Sequence, residues 1–310
     1  MPLDPDAWAL LDQLAVAGGK PVEESTVEEA RASHALAREL AGPPEPVHRI
    51  EDRRIPGPAG DIPVRIYTPS GPGPFPALVY FHGGGWVVGN LESVDVPLRS
   101  LANRAHCVVV SVDYRLAPEH KFPAAPDDCY AATRWVSEHA TELGVDPNRL
   151  AVGGDSAGGN LAAVVALMAR DQNGPRVAYQ LLIYPVTNHD FATTSYVANA
   201  EGYLLTRGAM IWFWNHYLAT PADGGQPYAS PLRAPRLNDL PPARVIVAGF
   251  DPLCDEGEAY AARLNDAGVP TDLRRYDGLI HGFFTRAGQI AAARRAVEET
   301  AGALRAALSG

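Results

Sequence analysis

The sequence contains few cysteines: Cys107, Cys129 and Cys254 are widely spaced and odd in number. Their spacing matches no metal-ligand motif, and such a set suits a reducing compartment better than a disulfide framework. We therefore expect a cytoplasmic protein with no metal site and no cofactor. Cys107 begins an apolar segment, which is typical of a small buried side chain.

Long apolar runs and an excess of basic residues are also missing. No apolar run approaches the ~20 residues that a membrane-spanning helix needs. The formal net charge of −10 argues against a nucleic-acid-binding surface. The N-terminal residues Met1–Asp6 are acidic and interrupted by proline, unlike a signal or transit peptide. These absences argue against both a membrane span and a nucleic-acid partner.

The first 45 residues have a helical pattern that is separate from the rest of the chain. Ser25-Thr26-Val27-Glu28 fits a capping box, which predicts a helix that runs to Leu40. Gly42–Pro46 then breaks the pattern and is interpreted as a linker. A chain of 310 residues can bury a large core, so we expect one α/β domain with an appended helical piece.

From Val47 onward, short apolar segments alternate with helical ones. The alternation predicts a doubly wound, mostly parallel sheet of the α/β class, in which the first two strands form an antiparallel pair. The predicted strands are 47–55, 62–67, 77–81, 108–112, 150–152, 180–184, 244–248 and 272–276, and the predicted helices are 93–105, 125–142, 157–170, 255–267 and 287–308.

About 60 residues between Tyr184 and Arg244 contain no clear strand, and a structureless loop of that length is unusual in a compact domain. An aromatic helix is predicted at Arg207–Leu218. We interpret residues 185–225 as an inserted cap that packs with the N-terminal segment 1–45 over a main domain of residues 46–184 and 226–310. An ordinary peripheral helix whose aromatic side chains belong to the core is an equally good interpretation.

Gly154-Asp155-Ser156-Ala157-Gly158 lies between a predicted strand and a predicted helix, the context of a G-x-S-x-G nucleophile elbow. Glycines two residues either side of a serine allow the strand and the helix to approach closely. The N-terminus of the helix would direct free N–H groups toward Ser156. The motif alone is weak, because a glycine-rich turn with an incidental serine has the same sequence.

Three further groups follow the ends of predicted strands, where ligands bind in open α/β sheets. The run Gly83-Gly84-Gly85 can turn two backbone N–H groups into a cavity, and with the N–H of Ala157 these would form an oxyanion hole. No Lys-Ser/Thr pair follows the run, which argues against a phosphate-binding loop. We interpret His82, at the end of its strand, as structural.

A base and an acid should accompany the serine. His281 lies in a loop after the last predicted strand and is our candidate base, whereas His34 and His139 lie on helices and are expected to be solvated. Candidate acids are Asp251, Asp255, Glu256 and Asp277. Asp251 is favoured because it follows its strand most closely and precedes Pro252, while Asp255 is expected to cap the next helix.

The chain resembles the hormone-sensitive-lipase-like family of α/β-hydrolases, the bacterial family IV carboxylesterases. The resemblance runs from about Ile62 to His281 and includes the segments His82–Trp86, Asp113–Glu119, Gly154–Asn160, Asp251–Gly257 and His281–Phe283. It implies an eight-stranded α/β-hydrolase fold with a helical cap.

The same resemblance implies a set of site residues. It assigns Ser156 as nucleophile, Asp251 as acid and His281 as base, with Gly83, Gly84 and Ala157 as oxyanion donors. The Asp113–Glu119 segment resembles a structural motif of the family. The resemblance also suggests a homodimer.

These observations predict a serine carboxylesterase that hydrolyses short- to medium-chain esters through an acyl-enzyme. We expect Tyr203, Leu204, Leu205 and Trp212 to line its substrate pocket. Two alternatives remain: an amidase or peptidase with the same triad, and a non-catalytic small-molecule receptor on the same fold.

Overall fold

The computed structural model describes residues 1–36 and 40–309. Its centre is one eight-stranded sheet with the strand order β1-β2-β4-β3-β5-β6-β7-β8. β2 runs antiparallel to both β1 and β4, and all other neighbours are parallel. The strands are β1 Arg49–Gly57, β2 Gly60–Thr68, β3 Phe75–Phe81, β4 Val108–Val112, β5 Val145–Asp155, β6 Tyr179–Ile183, β7 Ala243–Phe250 and β8 Thr271–Ile280. The predicted mostly parallel α/β sheet is confirmed.

The central strands are apolar because both of their faces are covered. Every residue of β4 is buried. In β3, Val79 packs in one hydrophobic cluster and its neighbour Leu78 in a second cluster on the opposite face of the sheet. The helices are α1 Pro5–Ala17, α2 Val27–Leu36, α3 Asp95–Ala105, α4 Ala124–Glu138, α5 Ala140–Leu143, α6 Ala157–Asp171, α7 Thr194–Ala198, α8 Arg207–Tyr217, α9 Cys254–Asp266 and α10 Ala291–Ala307. The first cluster includes residues of α4, α6 and α9, and the second includes residues of α1, α3 and α10.

Three helix boundaries differ from prediction. The segment 125–142 forms two helices, α4 and α5, which meet at His139. The last helix begins at Ala291 rather than at residue 287, because residues 287–289 form a turn instead. The capping box before α2 is formed by Thr26 and Glu29 rather than by Ser25 and Glu28: the Thr26 N–H donates to Glu29 Oε2 (2.8 Å), and the Glu29 N–H donates to Thr26 Oγ1 (3.2 Å). The predicted end of this helix at Leu40 lies beyond residues 37–39, which are outside the described residues.

The segment between β6 and β7 contains α7 and α8, and α8 contacts the N-terminal segment. Thr206 Oγ1 donates to the carboxylate of Glu23 (2.9 Å). The Tyr217 ring stacks on Trp86, with the two centroids 4.1 Å apart, and Trp86, Trp214 and Tyr217 are all fully buried. The aromatic side chains of α8 therefore serve mainly as core, and the division of the chain into a cap and a main domain stays a prediction.

Within the described part of the chain, no helix combines the length and the apolar character that crossing a membrane requires.

The close approach of β3, β5 and α6 leads to a prediction about Gly158. A Cβ at this position would overlap the carbonyl of Phe81, at the end of β3. Backbone cannot move aside as a flexible side chain can, so Gly158→Ala should lower the free energy of unfolding by roughly 3 kcal/mol or more.

Gly302→Ala is the matched control, because Gly302 lies in α10 with no atom near its Cβ position. That substitution should raise stability by roughly 0.5–1 kcal/mol through helix propensity. Urea unfolding of both variants is the measurement, and equal midpoints would contradict the steric argument.

Candidate active site

Ser156 lies at the turn between β5 and α6 with φ 57° and ψ −118°, a conformation in the left-handed half of the map that non-glycine residues rarely adopt. The turn is tight on both sides: a Cβ on Gly154 would overlap the backbone of Gly158, and one on Gly158 would overlap that of Phe81. The two glycines therefore allow the contact between strand and helix that holds Ser156 in this conformation, as the elbow pattern predicts.

The structure brings Ser156, His281 and Asp251 into one chain of contacts. His281 Nε2 lies 3.0 Å from Ser156 Oγ, and His281 Nδ1 lies 2.7 Å from Asp251 Oδ2. Asp251 is fully buried, and its Oδ1 accepts the N–H of Leu253 (2.9 Å). The carboxylate favours the tautomer with a proton on Nδ1, which leaves Nε2 free to accept the serine proton.

The other candidate acids are occupied elsewhere. Asp255 accepts the N–H of Ser195 (2.8 Å), Glu256 accepts the N–H of Thr187 (2.6 Å), and Asp277 pairs with Arg275 (2.6 Å). The expectation that Asp255 caps the next helix is wrong, because α9 begins at Cys254 and Asp255 lies in its first turn. Of the four candidates, Asp251 is the one in contact with His281.

Two residues of the segment after β6 support the acid loop, and the sequence analysis missed both. Asn199 Nδ2 donates to the backbone oxygen of Asp251 (3.2 Å), and Ser195 Oγ donates to that of Pro252 (2.6 Å). Both lie where the sequence has no strand signal, so no pattern linked them to a loop more than 50 residues away.

The geometry corrects one of the expected oxyanion donors. The Gly83 N–H donates to Asp155 Oδ1 (3.1 Å), which also accepts the Tyr80 hydroxyl (3.0 Å), so Gly83 is not free to bind an oxyanion. The N–H groups of Gly84, Gly85 and Ala157 have no hydrogen-bond acceptor among the described residues. The two free donors of the glycine run are therefore one residue further along it than expected, whereas Ala157 is a free donor as predicted.

Asp155 is a buried carboxylate at the centre of this arrangement. Burial raises its pKa to about 6, and the hydrogen bonds from Tyr80 and from the Gly83 N–H oppose part of that rise. Its Oδ1 is the atom that links the elbow to the glycine run.

Three other histidines lie outside the Ser156–His281–Asp251 chain of contacts. His82 is fully buried, burial lowers its pKa to about 4, and its ring stacks on Tyr114 with the centroids 4.4 Å apart. The expectation that His34 and His139 are solvated is wrong. His139 is half-buried, with Nδ1 2.9 Å from the Trp135 oxygen, and burial and then the charge of Arg286 lower the pKa of His34 to about 4.

The Asp113–Glu119 segment connects elements by ion pairs. Arg31 of α2 forms two hydrogen bonds of 2.7 Å with the carboxylate of Glu119, and Arg115 pairs with Asp128 of α4 at 2.7 Å. These contacts give the segment a structural explanation.

A cavity of about 460 Å³ lies over Ser156 and His281. Leu204 and Leu205 line it, as expected, but Tyr203 packs on Phe250 (4.9 Å between centroids) and Trp212 on His216 (4.0 Å) instead. The face of α8 toward the cavity carries Ala209, Met210 and Phe213. The correction follows from helix geometry: Met210 and Phe213, three residues apart, share a face of α8, whereas Trp212 is two residues from Met210 and points away from it.

A larger groove of about 650 Å³, lined by Arg170, Asp171, Tyr228 and Asn238 among others, contains none of the predicted site residues.

The three cysteines are buried and unpaired. In the described ranges, one group of side chains has ligand atoms close enough to share a metal ion: Cys254, Asp255 and Glu258. Arg275 already pairs with Glu258 (2.6 Å), so the group has its own cation and points to no metal.

The similarity to known proteins extends over nearly the whole chain. Residues 78–285 match the model of a protein family that is described as having the α/β-hydrolase fold. The carboxylic ester hydrolase LipN of Mycobacterium tuberculosis is 44% identical over 315 residues, which covers 99% of this chain and 84% of that protein. The ethyl acetate hydrolase of Pseudomonas putida is 40% identical over 303 residues, 94% of each chain. A hyperthermophilic esterase structure from the archaeon Pyrobaculum calidifontis has a TM-score of 0.93 and 46% identity, and 99% of each chain is covered.

The raised pKa of Asp155 leads to a pH prediction. Between about pH 4 and pH 6 the folded state binds a proton that the unfolded state releases, so this contribution to stability is lost as pH rises through about 6. Two pKa units correspond to about 3 kcal/mol. The free energy of unfolding of Asp155→Asn, minus that of the wild type, should therefore increase by up to about 3 kcal/mol from pH 4 to pH 7.

Asp146→Asn is the control. The backbone N–H of Asn148 and the side chain of Arg149 lower the pKa of this partly exposed carboxyl, so its contribution to stability is lost only below the pH range tested, and the same difference should stay nearly constant from pH 4 to pH 7. Urea unfolding across the pH range measures both. A difference for Asp155→Asn that does not depend on pH would show that the carboxylate is not held at a raised pKa.

Proposed function

The chain belongs to the hormone-sensitive-lipase-like α/β-hydrolases and is a carboxylic ester hydrolase, and we propose that it cleaves esters through Ser156, His281 and Asp251 by way of an acyl-enzyme. The observation that carries the proposal is the position of one imidazole between a hydroxyl and a buried carboxylate, at 3.0 Å and 2.7 Å. Such an imidazole can take the serine proton and hold the resulting charge.

In the first step Ser156 Oγ attacks the ester carbonyl while His281 Nε2 accepts its proton. A serine hydroxyl is a weak nucleophile without such a base. Asp251 stabilises the imidazolium, and its own orientation is held by the N–H of Leu253 at 2.9 Å.

The oxyanion of the tetrahedral intermediate is bound by backbone N–H groups. We assign Gly84, Gly85 and Ala157, whose N–H groups have no other acceptor in the described residues. Each such donor typically stabilises the transition state by about 3–4 kcal/mol. Gly83 instead fixes the loop through its hydrogen bond to Asp155 (3.1 Å).

The intermediate then collapses and the alcohol departs with the proton from His281, which leaves an acyl group on Ser156. Water attacks this acyl-enzyme, with His281 again as base, and the carboxylic acid is released. All proton transfers in this scheme pass through Nε2 of His281.

The cavity supports a preference for short and medium acyl chains. Its walls are mostly apolar and come from both predicted parts of the cap: Leu14 and Ala30 from the N-terminal segment, Met210 and Phe213 from α8. A volume of about 460 Å³ has room for a small ester and not for a triglyceride. The division into a cap of residues 1–45 and 185–225 and a catalytic domain of residues 46–184 and 226–310 is part of this proposal. A homodimer and a cytoplasmic location stay predictions from sequence.

Ser156→Ala tests the nucleophile. Without Oγ no acyl-enzyme can form, so turnover of p-nitrophenyl butyrate should fall by roughly a million-fold. The variant should remain folded, because a single buried oxygen is removed.

Ser70→Ala, at an exposed serine, is the control and should keep wild-type turnover. Circular dichroism and thermal unfolding confirm that each variant is folded. A folded Ser156→Ala protein with wild-type turnover would contradict the proposal.

Acyl-chain preference is tested with p-nitrophenyl esters from acetate to palmitate. We expect kcat/KM to be highest for butyrate or hexanoate and to be lower by roughly tenfold or more for laurate and palmitate, because the longer chains extend beyond the cavity. Emulsified triolein is the comparison substrate. Faster hydrolysis of triolein than of dissolved p-nitrophenyl butyrate would contradict the assignment of this cavity as the acyl site.

A further inference from the structure

Arg286 is a cation in the wall of the cavity that the ester-hydrolysis mechanism does not use. It follows the short 3-10 helix Phe283–Thr285, five residues after His281, and lines the cavity with Gly282 and Thr285. Arg286 Nη1 would lie 2.5 Å from a Cβ on Gly282, so the guanidinium lies directly against the residue that follows His281.

The donors of this guanidinium are only partly satisfied. Nη1 donates to the backbone oxygen of Gly282 (2.5 Å) and to Thr285 Oγ1 (3.4 Å). Nε is buried and has no acceptor. Among the described residues, Nη2 has no hydrogen-bond acceptor either. A buried donor without a partner is costly. Because Arg286 lines the cavity, a ligand in the cavity could supply the missing acceptor.

No carboxylate of the described residues lies within ion-pair distance of Arg286. Arg31, by contrast, is paired with Glu119, and that pairing raises the pKa of Arg31. Burial lowers the pKa of Arg286, and the nearby Asp155 carboxyl and Tyr184 phenol oppose the shift only in part. Among the residues that the structure describes, the guanidinium therefore has no counter-ion, and it lies in a cavity wall from which water is partly excluded.

The other group facing this charge is His34 on α2, which lines the same cavity. Its lowered pKa, caused by burial and then by Arg286, keeps the imidazole neutral at pH 7. A neutral imidazole can donate one hydrogen bond to an anion, so it complements the guanidinium. Most of the remaining wall is apolar, including Leu14, Leu205 and Phe213, and would limit the access of water to such a contact. The polar residues that also line the cavity include Ser33, Ser93, Asp155 and Thr285.

We propose that Arg286 and His34 form a carboxylate subsite, and that the esters this enzyme prefers carry a second, ionised carboxylate in their acyl or alcohol part. The inference rests on the proposed esterase function. A charge-assisted contact with a guanidinium in a water-poor cavity is among the stronger polar contacts that a binding site can make. The competing explanation is that Arg286 only offsets the charge of Asp155, in which case charged and neutral esters depend on it equally.

The experiment compares two pairs of substrates in which a carboxylate is replaced by an isosteric isopropyl group. For the acyl side, the pair is mono-p-nitrophenyl adipate and p-nitrophenyl isooctanoate. For the alcohol side, it is m-carboxyphenyl butyrate and m-isopropylphenyl butyrate. The readout is the ratio of kcat/KM for the anionic ester to that for its neutral partner, after subtraction of spontaneous hydrolysis.

Arg286→Met should lower this ratio by roughly tenfold to a hundredfold in at least one pair. Arg286→Lys, which keeps the charge without the planar fork, should lower it less. Arg294→Met is the matched control, because Arg294 is exposed on α10 and its removal changes net charge equally. This control should leave both ratios unchanged.

If the ratios for Arg286→Met stay within twofold of the wild-type ratios in both pairs, the proposed subsite is wrong. If that variant does not fold, the ratios of the wild-type enzyme test the proposal instead. An apolar cavity without a usable cation should discriminate against a carboxylate by roughly a hundredfold or more, so such discrimination in both pairs overturns the proposal as well. Failure of the esterase function itself is distinct, since the neutral esters would then not be hydrolysed.

Discussion

The contact between the end of β3 and the turn from β5 into α6 is the constraint on which the site depends. Side chains at Gly154 and Gly158 would overlap backbone atoms, so the two glycines allow strand and helix to meet. That contact holds Ser156 at φ 57°, a conformation whose cost the surrounding packing must offset. It also directs the first N–H groups of α6 toward the space beside the hydroxyl.

A buried carboxylate then connects this turn to the glycine run. Asp155 is the last residue of β5 and precedes Ser156, and its Oδ1 accepts hydrogen bonds from both the Tyr80 hydroxyl and the Gly83 N–H. One side chain thereby sets the position of the loop whose next N–H groups face the cavity. The cost of burying this charge appears as a pKa raised to about 6. Position of the loop and stability of the fold are thus coupled through one group.

The charged groups around the cavity differ in how well hydrogen bonds and opposite charges stabilise them. Asp251 has His281 and the Leu253 N–H, and Asp155 has two hydrogen-bond donors, whereas Arg286 has no carboxylate within ion-pair distance among the described residues. The apolar wall formed by α2, α8 and Leu14 of α1 increases the strength of any polar contact made there. The difference between a general esterase cavity and a selective one would arise from this single cation.

Much of the fold and part of the site could be predicted from sequence because they depend on local rules. Apolar runs gave eight strands, and the ends of those strands placed Ser156, Asp251 and His281 at one edge of the sheet. The sequence could not identify which glycine N–H is free, because Gly83 is occupied by a carboxylate 72 residues away. Nor could it select Ala209, Met210 and Phe213 over Trp212, or reveal Arg286 and His34 as neighbours in one cavity. Steric limits and hydrophobic periodicity act between residues close in the chain, so the sequence alone determines them. Hydrogen-bond partners, burial and unpaired charges depend on which distant segments meet, and only the tertiary structure decides that.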